Sequence, residues 1–419
     1  MRGTNPPTVT RSHLEPANRD PTWRPTSSSV RAKTISHVLL ARQPQPDSVD
    51  TAGGISRRHP MRISADRIHR LITDVLTAWG MDADLAETTA NVMTATDLAG
   101  TDSHGVSMLM TYEKLRESGR LDLRARPTVT RENASVALVD AGGGIGHPAS
   151  VFAMRKAIER ARTNAVGVAS VVNSHHFGAA GHYAEMAAAE GLIGLVTSSA
   201  SLPSVAPTGS AAPRLATNPL AFAAPARRNP NFMLDIATST AAVNKVKVYD
   251  YHRAPLPTGW VTDADGTPVD DAGTALRILR EDDLGGLTPL GGTPEMSSHK
   301  GYGLAMMAHI LGATLCGGAF PALREPEDPH NIGHFFLALD PEFFRPQGMF
   351  EDDLDDAIDL LHETPPLDPS APVLVAGDAE AATRDERNGS GIPIPDTLAE
   401  QLRAVAERAG VASDVDDWT

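Results

Sequence analysis

The chain reads as an α/β protein, and three observations carry that reading. Short apolar runs of strand length alternate with longer segments of helical period through the middle of the sequence, from "SVALVDA" to "LIGLVTSS". The composition is that of an ordinary globular chain: of 419 residues, 41% are hydrophobic and 21% charged. Glycines or charges interrupt every apolar stretch before it reaches membrane-spanning length, so no transmembrane helix is expected. The formal net charge is −15 and no long Lys/Arg run occurs, which argues against nucleic acid or an anionic membrane as the main partner.

Residues 1–60 stand apart. They are rich in Pro, Ser, Thr and Arg, lack apolar periodicity, and hold nine Lys/Arg against four Asp/Glu. They are expected to be a disordered extension or an over-extended start, with Met61 as the true beginning. A transit peptide would share the Arg and Ser content, but no amphipathic helix is evident.

Order is expected from Met61. Ile68, Leu71, Ile72, Val75 and Leu76 fall on one helical face, with Ser64 to cap the start and Gly80 the end. A second helix is predicted over about 82–99, and a short amphipathic helix opens at "TDSHGVSMLMTY". "SVALVDA" is a strand, "HPASVFAMRKAIERARTNA" a helix and "VGVASVVNS" a strand. "AAGHYAEMAAAEG" is a helix and "LIGLVTSS" a strand. "LAFAAPA" and "FMLDIAT" are further strand candidates. "GYGLAMMAHILGATLCGGAF" is predicted as a buried helix, "IGHFFLALD" as a strand, and two late helices lie near 351–362 and 396–409.

Between the first of these strands and its helix, Gly144, Gly146 and Ala149 satisfy G-x-G-x-x-G/A. The following strand ends in Asn173-Ser174, where an ordinary dinucleotide site needs an acid for the ribose hydroxyls. A Gly-rich strand-to-helix turn is the expectation, not a standard Rossmann site. Cys316 is the lone cysteine, which excludes a disulfide framework, fits a reducing cytoplasm, and is expected to be a buried inert thiol.

Histidines mark two turns. His104 follows Ser103, a good N-cap, so the imidazole would sit in a first helical turn, where the helix dipole disfavours its charged form. A neutral imidazole there can donate to a carbonyl or take a proton from an alcohol. His175, His176 and His182 cluster at a strand end and helix start, but HExxH-type spacing is absent and no metal is expected. A lone histidine near a helix start is most often a solvated or capping residue; two such turns bordered by glycine favour acid–base chemistry. Asp235 ends an apolar strand, and Lys300-Gly301 begins a helix where backbone N–H groups and a cation can hold phosphate.

In order along the chain, "DSHGV", "NSHHFGAAGHYAEMAA", "ATNPLAFAAPA", "LDIATS", "HKGYGLAMM" and "NIGHFFLALDP" resemble the type-2 malate/L-lactate dehydrogenase family. The resemblance runs from Met61 to about Gly410. It implies an α/β, non-Rossmann nicotinamide-binding fold with a central mixed sheet, flanking helices and a helical N-terminal region. It divides the chain into the extension 1–60, the helical region 61–130 with the Ser-His-Gly motif, a central cofactor and substrate domain 131–330, and a C-terminal strand and helices, 331–419, packing back on the N-terminal region. The implied activity is hydride transfer between NAD or NADP and a small 2-hydroxy/2-keto acid or related imino acid. The implied form is a homodimer with its site near the interface.

Carried over by position, His104 and His176 match acid/base histidines, with Ser103 to orient the first imidazole. Asp235, Ile236, Ala237, Lys300, Gly301, Gly377 and Asp378 match cofactor-contacting segments. Met108, Tyr112, Thr217 and Asn218 match the substrate side. At Met108 the family commonly carries an arginine that binds the substrate carboxylate, and a thioether offers no such bond. Arg214 or Lys245 is then the alternative cation; otherwise the substrate is not a usual 2-keto acid, or activity is reduced. A non-catalytic regulator that binds a nucleotide or metabolite is the rival reading.

Overall fold

The computed structural model describes residues 61–251, 253–325 and 327–411. The expectations for 1–60 and for the last eight residues lie outside them. β1 (Met61–Ile63) leads into α1 (Ala65–Ala78). The Ser64 side chain accepts from the Arg67 N–H, and the five apolar residues of the periodic stripe are all buried. α2 (Ala83–Leu98) packs on α1, and the chain then turns into a single 3₁₀ turn, Val106–Met108, and α3 (Leu109–Glu117).

Here the sequence reading needs correction. Ser103 caps no helix, and His104 lies before the 3₁₀ turn, whose N-cap is Gly105. The role expected of Ser103 falls to Asp97 of α2, whose Oδ2 accepts from the Val106 N–H at 2.8 Å.

The central elements follow in order: β2 (Thr128–Glu132), β3 (Val136–Asp140), α4 (Gly146–Asn164), β4 (Val166–Ser174), α5 (Ala180–Ala188), β5 (Ile193–Ser198), β6 (Leu220–Ala224) and β7 (Phe232–Ile236). Next come α6 (Val243–Tyr251), β8 (Val261–Thr262), α7 (Ala272–Glu281), β9 (Gly286–Leu287), α8 (His299–His309) and β10 (Ile332–Leu339). α9 (Met349–His362), α10 (Asp378–Ser390), β11 (Ile392–Ile394) and α11 (Asp396–Ala409) complete the chain.

Seven strands form one mixed sheet in the order β2-β3-β4-β10-β5-β6-β7. Only β3 and β4 run parallel; every other adjacent pair is antiparallel. A doubly wound Rossmann sheet needs successive parallel strands, so this is a different α/β architecture. β10 enters between β4 and β5, so the strand placed with the C-terminal unit in the sequence reading is central to the sheet. β1 pairs with β11, and α11 packs on α1 and α3, so β11 and α11 join the helical N-terminal layer.

Three apolar cores result. One lies between the sheet and α4/α5, a second joins α1, α2, α3 and α11, and a third lies under α6 and α7. α8 departs from its prediction. It ends at His309, continues as one π turn over Ile310–Thr314, and buries only one side. Met307, Ile310 and Leu315 are exposed. Cys316 is half-buried, and its Sγ donates to the Val171 carbonyl at 3.2 Å.

Candidate active site

A cavity of about 1040 Å³ opens where the helical N-terminal layer meets the β4–α5 turn and the β6–β7 hairpin. His104 and His176 share its wall, their ring centroids 5.3 Å apart. Ser103 Oγ lies 2.7 Å from His104 Nδ1, and Tyr112 OH lies 2.8 Å from His176 Nδ1. Each imidazole therefore has a hydroxyl behind it, and in each the Nδ1 is the engaged nitrogen.

The β4–α5 turn is held from below. His334 of β10 has its Nε2 3.1 Å from Ser174 Oγ and 3.2 Å from the His175 carbonyl, while its Nδ1 meets Ser198 Oγ at 2.8 Å. Phe177 stacks on His334 with a centroid distance of 4.4 Å, and Tyr183 donates its hydroxyl proton to the Phe177 carbonyl. The Gly-rich stretch that imitates a dinucleotide fingerprint has its use here. Gly146 donates its N–H to the His176 carbonyl at 3.1 Å, and a Cβ on Gly146 would come within 2.4 Å of the His175 carbonyl oxygen. The start of α4 is thus covered by the histidine turn, and Gly146, His147, Pro148, Ala149 and Ser150 are all buried.

Burial lowers the pKa of both site histidines, and His176 falls furthest because His104, His147 and His334 add to it. Both are neutral at pH 7. For His104 the cause is desolvation, not the helix dipole that the sequence suggested. Also lining the cavity, Asp235 accepts from the Gly181 N–H at 2.7 Å, and burial pushes its carboxyl up to about 6.

This arrangement can be set beside known proteins. The sequence profile of the malate/L-lactate dehydrogenase family matches residues 63–403. The chain belongs to this family. Malate dehydrogenase of Pyrococcus abyssi is 36% identical over 355 residues, covering 84% of this chain and 96% of the relative. L-sulfolactate dehydrogenase of Methanothermobacter thermautotrophicus is 31% identical, over 85% and 99%. Among solved structures, malate dehydrogenase from Entamoeba histolytica superposes with a TM-score of 0.81 at 30% identity, covering 85% and 99%. Δ1-Piperideine-2-carboxylate reductase from Pseudomonas syringae gives 0.72 at 28% identity, over 82% and 99%. The chain is a dehydrogenase of the malate/L-lactate type acting on CH–OH groups, which sets aside the regulator reading. Among the described residues no cluster of His, Cys, Asp or Glu could hold a metal ion, and no helix is long and apolar enough to cross a membrane.

The remaining residues that the family resemblance marked divide in two. Met108, Thr217, Asp235, Ile236 and Ala237 line the cavity with Ser103, His104 and His176. Lys300, Gly301, Gly377 and Asp378 do not. Gly301 packs against the Leu290 backbone, and Leu290 itself is the cavity residue. Gly377 caps α10 beside Met233, and Asp378 pairs with His362 at 2.7 Å and accepts from the Val375 N–H. Asn218 is fully buried and donates to the Ala305 carbonyl, tying the segment before β6 to α8. Tyr112 stands behind His176 instead of forming the wall.

Of the two alternative cations, Lys245 lines the cavity, with its Nζ 5.2 Å from the centre of the Trp260 ring, whereas Arg214 is exposed and donates to the Pro213 carbonyl. Sequence reasoning missed Thr111 and Leu115, although with Met108 they form a 3-then-4 helical stripe on the cavity wall. It also missed Glu185 and Arg384, which line the cavity as a two-bond pair at 3.0 and 3.2 Å. Nothing local marks that pair, since its members are 199 residues apart.

Proposed function

We propose that the chain interconverts a small 2-hydroxy acid and its 2-keto acid, or a related imino acid, with NAD or NADP. The observation that carries this reading is the pair of neutral imidazoles, His104 and His176, in the wall of a cavity that Asp235, Ile236 and Ala237 also line. The cavity is at the upper end of the range for small-molecule sites, larger than a small acid alone needs. The donor set fits a nicotinamide cofactor: the carboxyl of Asp235 is anchored on the Gly181 N–H, and small residues Ala237, Ser239, Ala241 and Ala242 leave room beside it. When bound, that cofactor supplies or accepts the hydride at the substrate carbon.

The protein's own part is binding and proton handling. His104 takes the hydroxyl proton of the hydroxy acid in the oxidative direction and returns it in reduction. Ser103 keeps the ring oriented through Nδ1. Lys245, on the cavity wall, is the cation assigned to the substrate carboxylate in the absence of an arginine at Met108. The Met108, Thr111, Leu115 stripe then favours a substrate with an apolar or neutral far end. The likeness to the piperideine-carboxylate reductase supports the imino-acid class as a second reading.

The working form is proposed to be a cytoplasmic homodimer. Leu202, in the cavity lining, is 68% exposed, and α8 and the π turn after it expose Met307 and Ile310, apolar surface that a second copy would cover. Light scattering after size-exclusion chromatography checks this, and a monomer at micromolar concentration would end it.

The activity is tested with a panel of 2-keto and cyclic imino acids against NADH and NADPH. At least one pair is expected to turn over, and His104→Gln is expected to lower kcat by about 10³-fold. No turnover of any pair on the panel would overturn the reading.

A further inference from the structure

The two site histidines look alike in sequence, but their partners differ in one decisive respect. Ser103 Oγ, beside His104 Nδ1, is a hydroxyl that can turn to donate or to accept. His176 Nδ1 receives two groups: the Tyr112 hydroxyl at 2.8 Å and the Gly178 backbone N–H at 3.3 Å. A backbone N–H can only donate. Nδ1 of His176 must therefore present its lone pair, and the neutral ring carries its proton on Nε2. Tyr112 completes the constraint. It is fully buried, and desolvation raises its pKa, so it stays a phenol that donates here. Both hydrogen bonds of the His176 ring among the described residues are made at Nδ1, and the ring forms part of the cavity wall.

We infer that His176 is a fixed hydrogen-bond donor, set in its Nε2–H form by Gly178 and the positioning residue Tyr112, and that His104 alone exchanges the substrate proton. A ring with a proton already on Nε2 can take another only at Nδ1, and that nitrogen faces two donors away from the ligand. His176 thus presents N–H to the substrate oxygen as negative charge develops there. His104 has the freedom His176 lacks. With Nδ1–H donating to Ser103, its Nε2 lone pair takes the proton as the hydroxyl O–H bond breaks, while the hydride leaves carbon for the nicotinamide. The resulting imidazolium keeps the Nδ1–H to Ser103 bond unchanged. The tautomer is a statement about this chain's geometry alone; the division of catalytic labour rests on the dehydrogenase reading.

The first test needs no substrate. Two-bond ¹H–¹⁵N spectra of the full chain with ¹⁵N-histidine, His176 assigned by its loss in His176→Gln, are expected to show the Nε2–H tautomer without titration from pH 6 to 9. In Tyr112→Phe, which keeps the buried ring and removes the donor, the Nδ1–H form is expected to gain population. The second test uses whichever substrate is accepted. Gln at 176 can donate but cannot take a proton. His176→Gln is expected to lower kcat/KM about tenfold and keep the acid limb of its pH profile, whereas His104→Gln costs about 10³-fold and abolishes the limb. An Nδ1–H or titrating His176 overturns the inference, as does loss of the acid limb in His176→Gln. If no substrate is turned over by the parent chain, the dehydrogenase reading fails, and the spectra still decide the tautomer.

Discussion

At the scale of single residues, the position of His104 is decided by a carboxylate seven residues earlier. Asp97 is buried, and burial, with Asp102 adding to it, raises its pKa well above the usual carboxylate range. Its Oδ2 holds the Val106 N–H, and a Cβ on Gly105 would lie 1.8 Å from its Oδ1. No side-chain rotation relieves that approach, because both groups are packed. Gly105→Ala must therefore displace the 102–108 turn and His104 with it. An ångström of misplacement at a reacting group costs on the order of 10²-fold in rate. The expected result is a kcat/KM lowered by about that factor with an unchanged far-ultraviolet circular dichroism spectrum. Parent-level kcat/KM in Gly105→Ala would show that the Asp97 clamp does not position the histidine.

At the scale of elements, α3 is fixed from outside by α11. Glu113 is buried, and Arg408 of α11 reaches both its oxygens, at 2.6 and 2.9 Å. Arg408→Met removes the partner and leaves the carboxylate enclosed. Because the guanidinium is itself half exposed, the cost is expected to be about 1–2 kcal/mol, less than for a fully buried pair. A urea titration reads this directly, and an unchanged midpoint would mean that α11 holds α3 by apolar contact alone. Elements of this fold were legible to different degrees for a physical reason. α1 and α11 bury one stripe, so their periodicity is plain in the sequence. β3, β4, β5 and β10 are apolar runs of strand length. α10, by contrast, has no buried residue and so carries no pattern to read, whereas α7 went unread although Ala272, Ala275, Leu276 and Ile278 bury one stripe. The position of β10 in the middle of the sheet depends on pairing with strands more than 130 residues away, which no local pattern encodes.

At the scale of the whole molecule, the site was legible where chemistry is concentrated in short turns and illegible where it is assembled from afar. The Ser103-His104 and His175-His176 turns were visible, as was Asp235. The cluster they belong to was not, because His147 and His334 join it only through α4 and β10. That cluster has a consequence for stability. Burial holds His147 and His334 at about 3, His182 at about 4, and His104 and His176 below their ordinary value. Between about pH 6.5 and 4 the unfolded chain therefore binds protons that these folded imidazoles refuse, and stability falls as pH falls. Asp97 and Asp235 act in the opposite sense, since their raised folded values let the native state bind protons first. Burial lowers His175, His309 and His330 as well, so the lowered imidazoles outnumber the two raised carboxyls and the balance is a net loss of stability as pH falls. The urea midpoint is expected to drop steadily from pH 7 to pH 5. His147 offers the cleanest control, because neither of its ring nitrogens has a hydrogen-bond partner among the described residues and an apolar ring can take its place against Tyr112. His147→Phe should make the pH dependence shallower by about one imidazole's share. A midpoint independent of pH over that range, or a slope that His147→Phe leaves untouched, would show that the buried histidines do not set the acid sensitivity of the fold.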